Sequence, residues 1–189
     1  MILIIDLCWK EHSLSRPEFV DPIANIVKSS GEDFRIVHHL SPDLGKLDGF
    51  SAIILCGTAL KDNGFRENDR LTELIKNTAV PVLGVCAGMQ IVALAYGAEL
   101  TGSLEIGMNE IRITGNDRIF GEDKTIQAYK LHGMRIIADK NFIVLAESDK
   151  GPEAVRHVTK PVWGVLFHPE VRNEWVIENF VDYCQKQQI

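Results

Sequence analysis

The 189-residue chain has no run of basic residues, few cysteines, and no apolar stretch long enough to cross a bilayer. Lys and Arg number 20 against 26 Asp and Glu, a formal charge of −6, and they are scattered. With no basic field to attract a phosphate backbone or an acidic lipid surface, the composition argues against nucleic acid and membrane as partners. A membrane helix needs roughly 18 or more uninterrupted apolar residues, and no window supplies them. Met1 leads directly into "ILIID" with no basic segment and long apolar run, so no secretory leader is read and a cytoplasmic location is expected. The four cysteines, Cys8, Cys56, Cys86 and Cys184, form no C-x-x-C pair. That argues against a disulfide framework or a zinc knuckle, and three of them are expected to pack as small apolar side chains. There is no internal repeat, no low-complexity stretch and no G-x-x-x-x-G-K-[ST] loop. No metal and no cofactor are predicted.

What is present is a globular chain. Hydrophobic residues make up 46% and charged ones 24%, enough to bury a core within one domain spanning residues 1–189. Apolar runs of strand length recur: "MILIID", "FRIVHHL", "SAIILCG", "PVLGV", "NEIRIT", "NFIVLAES", "EAVRHV" and "PVWGVLF". Helical spacing predicts helices over Pro17–Ser29 (Phe19, Ile23, Ile26, Val27), Arg66–Asn77 (Leu71, Leu74, Ile75), Gly88–Tyr96 and Arg172–Gln187 (Val176, Ile177, Phe180, Val181). Apolar strands alternating with helices in the first half predict an α/β fold: an open, twisted, mostly parallel sheet with helices on both faces. From Glu99 to Phe167 the segments are mostly strand-like, with polar turns such as "TGND" and "GED", and read as antiparallel additions to the same sheet.

One junction stands apart. In "PVLGVCAGMQIVALAYGA" (Pro81–Ala98), Cys86 lies between a predicted strand and a predicted buried helix, flanked by Gly84 and Gly88. A sharp strand-to-helix turn exposes a side chain at the carboxyl edge of a sheet, and a Cβ on either flank would obstruct it; this is the logic of a nucleophile elbow. The helix start offers unpaired N–H groups and a positive dipole end, which favour a thiolate, and the N–H of Ala87 can face a developing oxyanion. The same stretch also fits a buried structural cysteine in a βα unit.

A nucleophilic thiol needs a base, and the base an orienting acid. "PVWGVLFHPE" (Pro161–Glu170) ends a predicted strand with His168 and Glu170. Residues two apart in an extended chain point the same way, and Pro169 biases His168 toward that geometry. Either residue alone would fit a polar strand end. His12, His38, His39 and His157 have no comparable setting and are expected at the surface or at sheet edges.

"GVCAGMQ" (Gly84–Gln90) and "FHPE" (Phe167–Glu170), in this order and at this separation, resemble the class I glutamine amidotransferases, whose first motif reads G-x-C-x-G-x-Q. The resemblance covers nearly the whole chain and implies a flavodoxin-like fold carrying the elbow. It implies that Cys86 attacks the side-chain amide of L-glutamine, that His168 serves as base and then acid, and that Glu170 orients His168. Gln90 would help bind glutamine, and the backbone N–H of Ala87 would supply one oxyanion donor. The second donor belongs to a loop that usually reads S-G-G-P; here it is "CGTA" (Cys56–Ala59), which keeps Gly57 and puts Thr58 in the donor position. "KLHGMR" (Lys130–Arg135) matches the segment that grips the α-groups of glutamine, through His132 and Gly133, with Leu131 and Met134 departing from the usual pattern.

The family passes ammonia to a synthetase. The S-G-G-x-D-S pyrophosphate loop of an ATP-dependent synthetase is absent, so the resemblance implies an acceptor site on a separate chain. Among family members the chain is similar to the short glutamine-hydrolysing subunits of GMP synthetase, which makes the ATP-dependent GMP-forming subunit one candidate partner. An amidotransferase subunit of anthranilate synthesis, a standalone γ-glutamyl thiol hydrolase or peptidase, and a non-catalytic regulatory subunit remain open alternatives.

Overall fold

The computed structural model describes residues 1–45, 49–122 and 124–187; Asp123, in the predicted "GED" turn, lies outside them. In chain order the elements are β1 (Ile2–Asp6), α1 (Arg16–Phe19), α2 (Asp21–Ser29), β2 (Phe34–His38), β3 (Ala52–Leu55), α3 (Asp69–Asn77), β4 (Val82–Val85), α4 (Ala87–Ala95), β5 (Glu99–Ile113), β6 (Lys124–Ile137), β7 (Phe142–Ser148), β8 (Gly151–His157), β9 (Val162–Val165), α5 (Pro169–Arg172) and α6 (Trp175–Lys186). Among the described residues the strands make one sheet in the order β2-β1-β3-β4-β9-β8-β7-β5-β6. Neighbours from β2 to β9 run parallel, and those from β9 to β6 run antiparallel. The parallel sheet with antiparallel additions expected from the sequence is therefore observed, the additions being as many as the parallel pairings: four of each among the described residues.

The parallel half is held by burial on both faces. Every residue of β1, β3, β4 and β9 is buried. In β1, Ile2 and Ile4 join a core covered by α2 and α6, through Ile23, Val27, Val176 and Phe180. Leu3 and Ile5 join the opposite core, covered by α3 and α4 through Leu71, Ile75, Met89 and Val92. Alternation across a strand sends successive side chains to opposite faces, and each fully buried Ile or Leu contributes about 1.5–3 kcal/mol.

Three expected elements differ in their limits. The helix read over Pro17–Ser29 is two helices meeting at Val20. Pro22 has no N–H to donate to the carbonyl four residues earlier and its ring crowds that turn, so the helix breaks there. The stretch from Arg66 begins in a short 3-10 turn (Gly64–Glu67), and α3 starts only after Asn68, whose side chain caps it by accepting from Leu71 N. The closing helix is likewise interrupted at Asn173, leaving α5 short and separate from α6.

The stretch read as mostly strand-like holds β6 and the first part of β5, neither of which was among the named apolar runs. Both run in one long antiparallel ribbon from Glu99↔Ile137 to Ile113↔Lys124. Some of their buried positions, Glu105, Lys130 and Arg135, carry charged side chains, which disguises the alternation. Lys130 is fully buried, its Nζ donating to Glu105 (3.1 Å), Glu153 (2.6 Å) and Ser148 (3.3 Å). Arg135 donates to the same two carboxylates. Such ions tolerate burial because each has its partner, and the partners come from β5 and β8.

Of the histidines expected at the surface or at sheet edges, His12 is exposed and His38 ends the edge strand β2, but His38, His39 and His157 are all buried. The His38 ring lies 2.7 Å from the Cys8 carbonyl, and Asn68 reaches both the ring and the carbonyl of His39. Cys8, Cys56 and Cys184 are buried among apolar side chains. Burial pushes the thiols of Cys8 and Cys184 up to about 12 and that of Cys56 well above its ordinary value, which disfavours the reactive thiolate form at all three. No helix among the described residues is long and apolar enough to cross a membrane.

Candidate active site

Cys86 stands where β4 meets α4. Its backbone, at φ 50° and ψ −101°, occupies a region that L-residues avoid, at a cost of roughly 1–3 kcal/mol. The flanking glycines serve by their closeness to other backbone. A Cβ on Gly84 would lie 2.4 Å from the Gly88 carbonyl oxygen, and one on Gly88 would lie 2.3 Å from that of Leu55. The first turn of α4 is thus pressed onto β3 and β4, and the Cys86 side chain is carried at the carboxyl end of the sheet.

The pairing of β4 with β9 explains why residues so far apart in the chain meet. The two strands are parallel and in register from Val82↔Val162 to Val85↔Val165, so their carboxyl ends coincide. Cys86 follows one strand, and His168 follows the other three residues later. The Cys86 sulfur and the His168 Nε2 both face the Leu131 carbonyl oxygen, at 3.5 and 3.4 Å. On its other side, His168 Nδ1 lies 2.8 Å from Glu170 Oε1. The sequence reading set His168 and Glu170 side by side along an extended chain. His168 is extended as expected, at the position just before α5; the difference is that Pro169 begins that helix and Glu170 sits in its first turn. The His168 N–H donates to Tyr129 O at 2.8 Å, and the ring packs against Phe19 and Tyr129.

Burial alone would drive the imidazole toward its neutral form. The charge of the Cys86 sulfur, that of the Glu170 carboxylate and their hydrogen bonds to the ring outweigh it and hold the His168 pKa well above 6.5. A ring protonated at both nitrogens can donate on one side to Glu170 and on the other to Leu131 O. Thiol, imidazole and carboxylate in series can move a proton off the sulfur and later deliver it to a leaving group.

The other predicted residues take several positions. The Ala87 N–H is the first of α4 and has no acceptor within the helix. Thr58 keeps a negative φ, so its Cβ is accommodated, and its Oγ1 donates to Asp62 at 2.7 Å. Gly57 lies under the imidazole, where a Cβ would come within 2.8 Å of His168 Cε1. Gln90 is buried in α4; its amide nitrogen donates to Met134 O at 3.2 Å and its oxygen accepts from Arg66 at 2.8 Å. Thr58, Ala87, Gln90, His132 and Gly133 border a cavity of about 20 Å³ beside Cys86, whereas Gly57 and Met134 do not. The His132 ring faces Ser103 O at 3.0 Å and Glu105. A larger concavity of about 470 Å³, beside Lys130 and Lys150, has no cysteine in its lining.

Residues 18–179 match the family model for glutamine amidotransferase class-I. The chain belongs to the class I glutamine amidotransferases. It is 30% identical over 184 residues to the glutamine-hydrolysing GMP synthase subunit of Methanosarcina barkeri, covering 85% of this chain and 96% of the relative. The corresponding subunit of Pyrococcus abyssi is 29% identical over 178 residues, covering 88% and 94%. Among solved structures, a candidate GMP synthase subunit from Thermoplasma acidophilum superposes with a TM-score of 0.86 at 24% identity, covering 99% of this chain and 94% of that one. A glutamine amidotransferase from Thermotoga maritima gives 0.68 at 20% identity, covering 100% and 85%. At these identities the structures show the shared fold alone.

For a class I amidotransferase the site holds one feature that sequence reading missed: Arg66, which enters it from the 3-10 turn. Nothing local marks Arg66, because its partner Gln90 is brought to it only by the packing of α4.

The buried imidazoles set how stability varies with pH. Burial lowers the pKa of His39 and of His132 to about 4, so the folded protein resists protonation there while the unfolded chain accepts protons below 6.5. Stability is therefore lost as pH falls from 6.5 toward 4, by up to roughly 3 kcal/mol for each ring. His168 acts oppositely: its raised pKa adds stability that is complete below 6.5 and is lost as pH rises through the folded value. Urea unfolding should show a maximum between the two limbs, and His39→Gln should flatten only the acid limb. An acid limb unchanged in His39→Gln would remove His39 from the account.

Proposed function

We propose that this chain hydrolyses the side-chain amide of L-glutamine and supplies ammonia to a synthetase on a separate chain. The convergence of Cys86, His168 and Glu170 within a class I amidotransferase fold carries this reading. His168 takes the proton of the Cys86 thiol and the sulfur attacks the amide carbon. The Ala87 and Thr58 backbone N–H groups receive the oxyanion. Collapse breaks the carbon–nitrogen bond, His168 returns the proton to the departing ammonia, and a γ-glutamyl thioester remains on Cys86. Water, deprotonated by His168, then releases glutamate and regenerates the thiol. Gln90 and the backbone of His132 and Gly133 bind the substrate, with Gly57 giving His168 room and Met134 holding Gln90.

The named relatives belong to GMP synthases, which supports the ATP-dependent chain that forms GMP as the ammonia acceptor. This function places the protein in the cytoplasm and treats residues 1–189 as one glutamine amidotransferase domain. The cavity beside Cys86, about 20 Å³, is small for glutamine, and the reading includes a widening of the site as glutamine enters. Partner docking at the carboxyl edge of the sheet supports that opening.

The test measures glutamate release from L-glutamine and from γ-glutamyl peptides, with and without the GMP-forming partner, and mass-labelling of Cys86 by a glutamine-analogue electrophile. Release from free glutamine, stimulated by the partner, and a single label on Cys86 are expected. Equal turnover with and without the partner would indicate a standalone hydrolase, preference for γ-glutamyl peptides a peptidase, and no labelling would overturn the reading.

A further inference from the structure

The proposed reaction puts negative charge on the amide oxygen, and one of the two groups that receive it, the Thr58 N–H, stands on a loop. Thr58 is buried, and among the described residues its N–H meets no acceptor. The loop leaves β3 at the carboxyl edge of the sheet, and no proline fixes its backbone over Cys56–Ala59. A donor to an oxyanion acts by being in place before the charge appears, so this loop has to be held still by other means.

Asp62 supplies the hold. Its Oδ2 accepts from Thr58 Oγ1 at 2.7 Å and from the Trp9 N–H at 3.2 Å. Its own N–H donates to Ala59 O at 2.9 Å, which closes a turn back onto the loop. Hydrogen bonds to a carboxylate are about twice as strong as neutral ones. One carboxylate oxygen thus fastens the loop after β3 to itself and to the loop after β1. Asp62 and Thr58 both border the cavity beside Cys86. A negative group in that position opposes a developing oxyanion, so a direct part for Asp62 in the reaction would slow it. The benefit of an acid here is its grip on the Thr58 hydroxyl, which a glycine at position 58 could not offer.

We propose that Asp62 is a positioning residue: through the Thr58 hydroxyl it fixes the backbone N–H that receives the oxyanion, and it acts on the reaction through Thr58 alone. The proposal rests on the glutaminase reading above.

The test follows both ends of the contact. In Asp62→Ala, and in Thr58→Val, which replaces the hydroxyl by a methyl, kcat for L-glutamine should fall by about ten- to a hundredfold while KM changes much less; losing an oxyanion donor outright costs about 10²–10³. The double variant should be no worse than the worse single one, because both break the same contact. Asp62→Asn keeps an acceptor oxygen and Thr58→Ser keeps a hydroxyl, so each should recover most of what its partner variant loses. The γ-aldehyde analogue of glutamine adds to the Cys86 thiol: a carbon–sulfur bond forms, and the carbonyl becomes the tetrahedral C–O of a hemithioacetal. Its affinity, read from protection of Cys86 against iodoacetamide, should fall in Asp62→Ala by the same factor as kcat. Loosening of the fold alone would lower the unfolding temperature without that match. Should Asp62→Ala not fold, Thr58→Val and Thr58→Ser carry the same comparison. A kcat at or above wild type in Asp62→Ala and Thr58→Val, additive losses in the double variant, or an aldehyde affinity unchanged where kcat falls would each overturn the proposal and leave the glutaminase reading standing. Wild type that neither hydrolyses L-glutamine nor binds the aldehyde at Cys86 overturns that reading, and the proposal with it.

Discussion

Cys86→Ala and Cys86→Gly are both expected to lose glutamine hydrolysis, yet the glycine variant should be the more stable of the two. The loss of turnover follows from the proposed chemistry: without the sulfur no thioester forms, and removing a nucleophile from a triad lowers turnover on the order of 10⁴-fold or more. The stability order follows from the backbone. At φ 50° and ψ −101° a residue with Cβ is strained, and glycine is not. At an ordinary helical or extended position glycine is the worse choice by about 0.5–1 kcal/mol because it is more disordered when unfolded. Here the strain relieved exceeds that penalty, and the order reverses by about 1 kcal/mol, or roughly 2–4 °C in a chain of this size. Thermal unfolding and a glutamate-release assay on the same preparations check both halves. Turnover within about 10²-fold of wild type in either variant would remove Cys86 as nucleophile. An alanine variant more stable than the glycine variant would show that the elbow stores no strain.

Gly88→Ala is expected to be the most damaging single-methyl change in the protein. Alanine normally stabilises a helix relative to glycine by about 1 kcal/mol. At position 88 the added Cβ would stand 2.3 Å from the Leu55 carbonyl oxygen and 2.9 Å from its carbonyl carbon. These are backbone atoms of β3, in the middle of the sheet, and they cannot swing aside as a side-chain end would. The helix must lift, carrying with it the Ala87 N–H, the Gln90 side chain and the turn that aims Cys86. A loss of about 2–3 kcal/mol is expected from the overpacking, and at least about 10²-fold in kcat/KM from the displaced elbow. Gly84→Ala meets the Gly88 carbonyl oxygen at 2.4 Å and should behave alike. Gly102, with open space around its missing Cβ, is the control: Gly102→Ala should leave the unfolding midpoint nearly unchanged. Full activity in Gly88→Ala would show that α4 can move away from β3 without disturbing the site.

Much of this was readable along the chain. The runs that became β1, β3, β4 and β9 announced a sheet buried on both faces, because continuous apolar strands between helices fit no other arrangement as well. Gly84 and Gly88 around Cys86 announced the elbow, because only closely packed backbone requires glycine at both flanks. Leu71 and Ile75, and Val176 and Phe180, marked the buried stripes of α3 and α6. In each case the evidence is local: hydrophobic transfer and backbone crowding act on neighbours in the chain, so their imprint is a short spacing.

Other features depended on residues that meet only in the folded protein. Lys130 and Arg135 made β6 hard to read, since their burial is permitted by Glu105 and Glu153, which lie 25 and 23 positions from Lys130 and 30 and 18 from Arg135. His38 and His39 fit the surface by residue type, and only the folded chain places the Cys8 carbonyl and Asn68 against them. The break at Pro22 follows from its missing N–H and the bulk of its ring, neither of which shows in the apolar spacing of Phe19, Ile23 and Val27. The pairing of His168 with Glu170 is local, yet its form came from the cap of α5 and not from an extended strand.

The order of amino acids by itself determined the layered α/β architecture, the glycine-flanked thiol and the family. Tertiary structure decided that β4 and β9 lie side by side, which brings His168 to Cys86, and that Arg66 reaches Gln90. Apolar burial depends on what a residue is, and so can be read from the residue; the pairing of charges and hydrogen-bonding groups depends on what stands opposite, and only the folded chain supplies that.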